Sequence, residues 1–158
     1  MSHSLLFPNK YKIAGWCLLI PATIFGIILT ATNFDGFSLN IKVFALFNND
    51  IGGKSQFFSI IYTDVTNTII GILFIVGSLL VGFSKEKKED EFIANLRLSS
   101  LLWAVFVNYG LLLVAFAFIY GTSFLNIMVY NMFTVMIIFI IRFNYMLYRS
   151  FKSAPDEK

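Results

Sequence analysis

The sequence predicts an all-α integral membrane protein with four transmembrane helices in a compact bundle. Of its residues, 58% are hydrophobic and only 13% are charged, whereas soluble domains average about 25% charged residues. The apolar residues form runs of about 18 or more, the length that crosses the hydrocarbon layer. These runs do not alternate apolar and polar residues, as the strands of a membrane barrel do. We expect a single membrane domain over residues 1–158, with spans at about 13–32, 65–83, 98–120 and 124–147.

The first span follows a short polar head that ends with Lys10 and Lys12. It runs from Ile13 to about Thr32 and contains Pro21, which is expected to kink the helix or to mark a packing point. A cleaved signal peptide has an apolar stretch of only about 7–15 residues and a cleavage site between small residues. We therefore expect this span to be retained.

The segment 33–63 is the longest stretch between spans. It contains SLNIKVFALF and SQFFSIIYT, whose β-branched and aromatic residues favour strands, and between them lies NNDIGGK, rich in turn formers. We predict a small β-hairpin lying on the membrane surface, whose phenylalanines touch the interface: Phe44, Phe47, Phe57 and Phe58. The alternative is an early start of the second helix, at about Gln56.

The second span carries polar and small residues on one helical face. Asp64 precedes this span as a natural N-cap. The pair Ser78-x-x-x-Gly82 has the spacing that lets another helix approach closely. We interpret the face as a helix-packing surface, with an ion path as the alternative. By three- and four-residue spacing it contains Asp64, Asn67, Thr68, Gly71, Ser78 and Gly82.

The charged connector SKEKKEDEFIAN separates the second and third spans. A run of charges of this kind is usually a solvated surface. The alternative is that residues 84–97 form a docking site for a cytoplasmic protein. The third and fourth spans follow, joined by the tight turn Gly121-Thr122-Ser123.

Each of the last two spans contains one Asn and one Arg, eleven residues apart. That spacing is about three helical turns, so Arg97 and Asn108 share a face and differ in depth by roughly 16 Å. Asn131 and Arg142 are related in the same way, with Thr134 close to their face. If Arg97 and Arg142 are interface anchors that reach the headgroups, the two Asn side chains meet at one depth. Asn108, Asn131 and Thr134 are therefore candidate intramembrane polar contacts, as are Asp64, Asn67, Thr68 and Ser78.

Cationic residues set the expected orientation, because Lys and Arg are enriched on the cytoplasmic side of membrane proteins. Four spans divide the 12 Lys and Arg residues into ten on the side of both termini and the connector, and two, Lys42 and Lys54, on the other. We expect cytoplasmic termini and an outside segment 33–63.

The second half of the chain also resembles a known family. The strings FSKEKKEDEFIANLRLSSLLWAVFVNYG, YGTSF and VYNMFTVMIIFIIRFNYMLYR are similar to those of small four-span bacterial membrane proteins without an assigned activity. The resemblance covers about residues 83–150. It implies four helices and the bacterial inner (cytoplasmic) membrane, and it supplies no catalytic residue.

Side chains that could support catalysis are few. The single histidine, His3, lies in the polar head, and the single cysteine, Cys17, lies at the start of the first span. No cluster with metal-ligand or haem-ligand spacing is present in the sequence, and the carboxylates of the connector are not expected to line a pocket. We predict no enzyme activity, no cofactor and no metal.

Two classes of function fit these features. The first is a non-catalytic accessory, scaffold or relay subunit that acts through helix–helix and cytoplasmic-loop contacts, with Gly71 and Gly82 as packing positions. Its expected partners are the lipid bilayer, another membrane protein or a second copy of itself, and a cytoplasmic protein at 84–97, but not nucleic acid. The alternative is a small oligomeric transporter or channel that uses Asp64, Asn67 and Thr68 at the outer boundary.

Overall fold

The computed structural model describes residues 6–32, 38–48, 56–87 and 89–153. The described part is mostly helical, as the sequence predicts. Three of its helices are long and apolar enough to cross a membrane, and α2 is apolar but has only 17 residues. The elements in chain order are α1 (Lys10–Ala31), β1 (Asn40–Asn48), β2 (Gln56–Asp64), α2 (Thr66–Gly82), α3 (Glu91–Phe118) and α4 (Thr122–Ser153).

The predicted β-hairpin is confirmed. Strands β1 and β2 pair in antiparallel register, from Asn40 opposite Asp64 to Asn48 opposite Gln56. The alternative, a helix beginning near Gln56, is wrong because β2 continues to Asp64. The predicted turn at 49–55 lies outside the described residues, as do the side chains of Phe47 and Phe57. Phe44 and Phe58 are exposed, with ring centroids 6.2 Å apart.

The chain forms two compact units, of which one comprises Leu18–Phe74. In this unit the base of the hairpin is fastened to the start of α2. The Val65 N–H donates to the Leu39 carbonyl at 3.1 Å, and the Leu39 N–H donates to Thr66 Oγ1 at 3.0 Å. The buried apolar residues of this unit are Leu19, Ala22, Leu29, Val65 and Phe74.

The other unit comprises Met1–Cys17 and Ile75–Lys158. Its helices α3 and α4 pack along each other, and the turn between them passes through Gly121, whose φ of +77° suits a residue without a Cβ atom. The rings of Phe139 and Phe143 are completely buried in this unit and stack with centroids 6.1 Å apart.

Helix α3 begins earlier than the third predicted span, at Glu91 instead of about Leu98. The reason is a cap: the Asp90 carboxylate accepts a hydrogen bond from the Ile93 N–H at 2.8 Å. Part of the charged connector is therefore helical. Helix α1 continues through Pro21.

Candidate functional site

The buried face of α3 is its small and polar face. Large apolar residues lie on the exposed side, including Phe106 at 82% exposure and Leu113 at 72%. The buried positions follow one another at intervals of three, four or seven residues, which places them on one side of a helix. They are Ile93, Arg97, Ser100, Ala104, Asn108 and Ala115, and we call this set the α3 stripe.

Within the stripe, Asn108 meets Asn131 of α4. Asn108 Nδ2 donates to Asn131 Oδ1 at 3.1 Å, and Asn131 Nδ2 donates to Asn108 Oδ1 at 3.2 Å and to the Asn108 carbonyl at 3.5 Å. Each amide thus supplies both a donor and an acceptor to the other. Thr134 does not join them, because its hydroxyl donates to the Tyr130 carbonyl of its own helix at 2.9 Å.

Arg97, the expected headgroup anchor on α3, is buried and held by partners from its own chain. Its guanidinium donates to both carboxylate oxygens of Glu89, at 2.8 and 3.2 Å, and to the Ser84 carbonyl at 3.2 Å. It also lies 5.0 Å from the centroid of the Phe143 ring. Such a two-pronged pair fixes orientation as well as charge. Arg97 therefore joins the connector to the α3–α4 hairpin.

The connector carboxylates bind within the unit. Burial raises the pKa of Glu89, but hydrogen bonds from Arg97 and from the Glu86 N–H, with the nearby charges of Arg97 and Lys85, outweigh burial and leave that pKa below its ordinary value near 4.5. Glu86 forms an ion pair with Lys12 of α1. The predicted partner-docking segment 84–97 thus has two of its carboxylates occupied by cations of the same chain.

The segment before α1 pairs with the end of α2 and the start of the connector. The Phe7 N–H donates to the Phe83 carbonyl at 2.9 Å, and the Lys85 N–H donates to the Phe7 carbonyl at 2.8 Å. The Asn9 side chain donates to the Lys85 carbonyl at 2.6 Å. These bonds hold the connector in place from its other side.

Arg142, the second expected anchor, differs from Arg97. It is half-buried, and its guanidinium carbon lies 4.2 Å from the centre of the Trp103 ring of α3. The Nε atoms of both arginines are buried without a hydrogen-bond partner. The difference is that, among the described residues, no carboxylate forms an ion pair with Arg142. The sequence pattern predicts equivalent roles for the two arginines, whereas among the described residues a carboxylate neutralises Arg97 and none neutralises Arg142.

The predicted small-residue pair on α2 lies at a close helix contact. A Cβ atom on Gly82 would stand 2.6 Å from Cε1 of Phe139 on α4. Ser78 is fully buried and donates to the Ile75 carbonyl at 2.9 Å. Gly71, the other predicted packing glycine, is half-buried.

Sequence reasoning missed a second close contact, at Gly15 of α1. A Cβ atom there would stand 2.8 Å from Leu80 Cβ and 2.9 Å from the Val81 nitrogen of α2. Gly15, Ala22 and Gly26 recur at helical spacing, a signal that could have revealed this small face. The reasoning also missed Glu89 as the partner of Arg97.

Asp64, the candidate transport residue, is bound to the start of α2. Its carboxylate accepts hydrogen bonds from the Thr66 N–H at 2.9 Å and from the Thr66 hydroxyl at 2.5 Å. These bonds lower the pKa of Asp64 from its ordinary value of 3.8. Asn67 and Thr68 are exposed, and these two hydrogen bonds of Asp64 are made with Thr66 and not with either of them.

This arrangement is suited to holding helices together. Among the described residues, no group of His, Cys, Asp or Glu side chains could hold a metal ion, and Cys17 is an exposed thiol. Asn108 and Asn131 bind each other across α3 and α4, and Arg97 binds Glu89 of the connector. No protein family, curated protein or solved structure matches the chain.

Proposed function

We propose that this chain is a non-catalytic, multi-pass protein of the bacterial inner membrane that acts as an accessory or scaffold subunit. Its four helices cross the bilayer, both termini and the connector lie in the cytoplasm, and the β-hairpin lies outside on the membrane surface. Its contacts are made by helix surfaces that face lipid and other membrane proteins. The function rests on contact surfaces and includes no chemical step.

The observation that carries the proposal is the polarity of α3. A surface helix of a water-soluble protein buries its apolar stripe and exposes its polar side. Helix α3 does the reverse: it buries Arg97, Ser100 and Asn108 and exposes Phe106 and Leu113. In lipid this arrangement is favourable, because hydrocarbon solvates the apolar side chains while small and polar residues make the helix contacts.

Helix α2 is the shortest proposed span. Its 17 residues extend roughly 26 Å, at the lower end of what a bilayer of about 30 Å accepts. A short span is accommodated by local thinning of the bilayer. The proposed orientation is supported by the cation count, which is ten against two among 12 Lys and Arg residues when α2 is taken as a span.

The accessory role is supported by how the polar groups are used. Asn108 binds Asn131, Arg97 binds Glu89, and Asp64 binds the start of α2. A transporter keeps ionisable groups at a substrate path, whereas these groups stabilise the fold. The exposed apolar surfaces of α3 and α4 remain for a partner, either a different membrane protein or a second copy.

Site-specific photo-crosslinking in cells tests the accessory role. A photoreactive side chain is placed at Phe106 or Leu113, both exposed, and at the buried Ala104 as the matched control. We expect a discrete crosslinked product, identified by mass spectrometry, from an exposed position and none from Ala104. If both exposed positions crosslink only to lipid, while the purified chain is stabilised by a solute and moves it across vesicles, the accessory role is wrong.

A further inference from the structure

We propose that Arg142 and Trp103 form a binding site for the phosphate of an anionic phospholipid in the cytoplasmic leaflet. The inference rests on the membrane insertion proposed above. The site is made by two helices, since Trp103 belongs to α3 and Arg142 to α4. It is separate from the Arg97–Glu89 pair and from the Asn pair.

The first argument is charge. A guanidinium is ionised at any accessible pH and carries five N–H donors. The charge of Arg97 is neutralised by Glu89, and its guanidinium also donates to the Ser84 carbonyl. Arg142 has no such ion-pair partner among the described residues. A cation without an ion-pair partner near the end of a membrane helix is stabilised by an anion from outside the chain.

The second argument is depth. The helical rise places Arg142 roughly 32 Å along α4 from the turn at Gly121. The hydrocarbon layer is about 30 Å thick, so with the turn at the outer boundary, Arg142 reaches the level of the opposite phosphates. Trp is also enriched at this boundary. The site therefore lies where phospholipid phosphates are found.

The third argument is geometry. The indole face of Trp103 supports the guanidinium from one side, at 4.2 Å, which orients the planar fork. Trp103 is itself 45% exposed, so lipid can reach the pair. A guanidinium held in this way matches two oxygens of a phosphodiester. A zwitterionic headgroup adds its own ammonium beside the phosphate, so the unpaired cation favours a headgroup without one.

The chain provides its own reporter for the test. It contains two tryptophans, so Trp16→Phe leaves Trp103 alone. This variant of the full chain is reconstituted in phosphatidylcholine vesicles that contain brominated phosphatidylglycerol or brominated phosphatidylcholine at equal mole fraction. Bromine quenches indole fluorescence on contact. We expect the phosphatidylglycerol form to occupy the Trp103 position with about fivefold preference, the scale of one cation near an anionic lipid surface.

Two substitutions at Arg142 test whether this residue causes the preference for phosphatidylglycerol. Arg142→Gln should abolish it, and Arg142→Lys, which keeps the charge but loses the planar stack, should weaken it. Lys152→Gln removes an exposed cation from the same helix and is the matched control, which should retain the preference.

The outcomes separate the site from membrane insertion. Equal quenching by the two brominated lipids overturns the site but remains consistent with membrane insertion. This comparison is made on the Trp16→Phe variant, in which Arg142 is unchanged. Quenching by neither lipid contradicts insertion of this helix pair and the site with it. A preference that survives Arg142→Gln, or that Lys152→Gln removes equally, also overturns the site.

Discussion

Asn108 and Asn131 form a reciprocal amide pair, in which each Nδ2 donates to the other residue's Oδ1 at 3.1 and 3.2 Å. The pair joins the second half of α3 (Glu91–Phe118) to the first third of α4 (Thr122–Ser153). Replacing one residue leaves the other amide without its partner, so the two effects on stability must be coupled.

A double-mutant cycle measures this coupling. Asn108→Leu and Asn131→Leu should each lower stability in detergent, with a coupling energy of about 0.6–2 kcal/mol. Asn144 is a suitable control, since its amide donates to the Ile140 carbonyl of its own helix at 2.8 Å. Asn108→Leu combined with Asn144→Leu should be additive within about 0.5 kcal/mol. Additivity of Asn108→Leu with Asn131→Leu would show that the pair contributes nothing.

Two glycine substitutions should have opposite effects. Gly82→Ala places a methyl group 2.6 Å from Cε1 of the fully buried Phe139 ring, and the overlap should cost about 1–3 kcal/mol. Gly110→Ala meets no atom within 4 Å and should be neutral or should stabilise α3 by up to about 1 kcal/mol, as helix propensity favours Ala. Thermal unfolding in detergent compares the two. Equal effects would place Gly82 outside a helix contact.

The ion pair of Glu89 with Arg97 should make stability depend on pH. Because folding depresses the pKa of Glu89 below its ordinary value near 4.5, the contribution of this carboxylate is complete above that value and is lost as pH falls through the folded pKa. The unfolding temperature should therefore stay level at neutral pH and fall as the pH is lowered through and below 4.5. Glu89→Gln should lower stability by about 3 kcal/mol at neutral pH, because it leaves Arg97 buried and unpaired.

The same substitution should flatten the decline in acid. Glu91→Gln, at an exposed position on the first turn of α3, is the control and should leave the acid decline unchanged. A native protein whose stability does not change over this range would contradict the assigned role of Glu89.

Asp64 distinguishes the accessory role from transport. Asn accepts the same hydrogen bond from the Thr66 N–H, so Asp64→Asn should leave folding and function intact in cells. Asp64→Ala should lower the unfolding temperature, since the Thr66 N–H and hydroxyl then lose their acceptor. Loss of function in Asp64→Asn with unchanged unfolding would favour an ion site at this carboxylate.

Local patterns in the sequence were enough to predict several features of the structure. The hairpin could be predicted because two segments rich in β-branched and aromatic residues flank a cluster of turn formers. The pairing of Asn108 with Asn131 could be predicted because helical spacing places each residue on a defined face of its helix. The close helix contact at Gly82 could be predicted from the four-residue spacing between Ser78 and Gly82.

Other features depend on contacts between distant segments. The connector has the composition of a solvated loop, and no local pattern shows that Glu89 folds back on Arg97 or that Phe7 pairs with Ser84. The difference between Arg97 and Arg142 has the same origin. Both arginines have the same spacing from an Asn, but among the described residues the connector carboxylate of Glu89 pairs with Arg97, and no carboxylate pairs with Arg142. The start of α3 was placed late because the Asp90 cap lies inside the charge run.

The central claim, four spans with both termini in the cytoplasm, is tested most directly by cysteine labelling. Single cysteines replace Ser38, Lys87 or Ser153 in a Cys17→Ala background, and an impermeant thiol reagent is applied to cells with a permeabilised outer membrane. Lysed cells provide the control, in which all three positions should react. In unlysed cells the account predicts labelling at position 38 alone. Labelling at position 87 as well would show that α2 does not cross the membrane and would contradict the account.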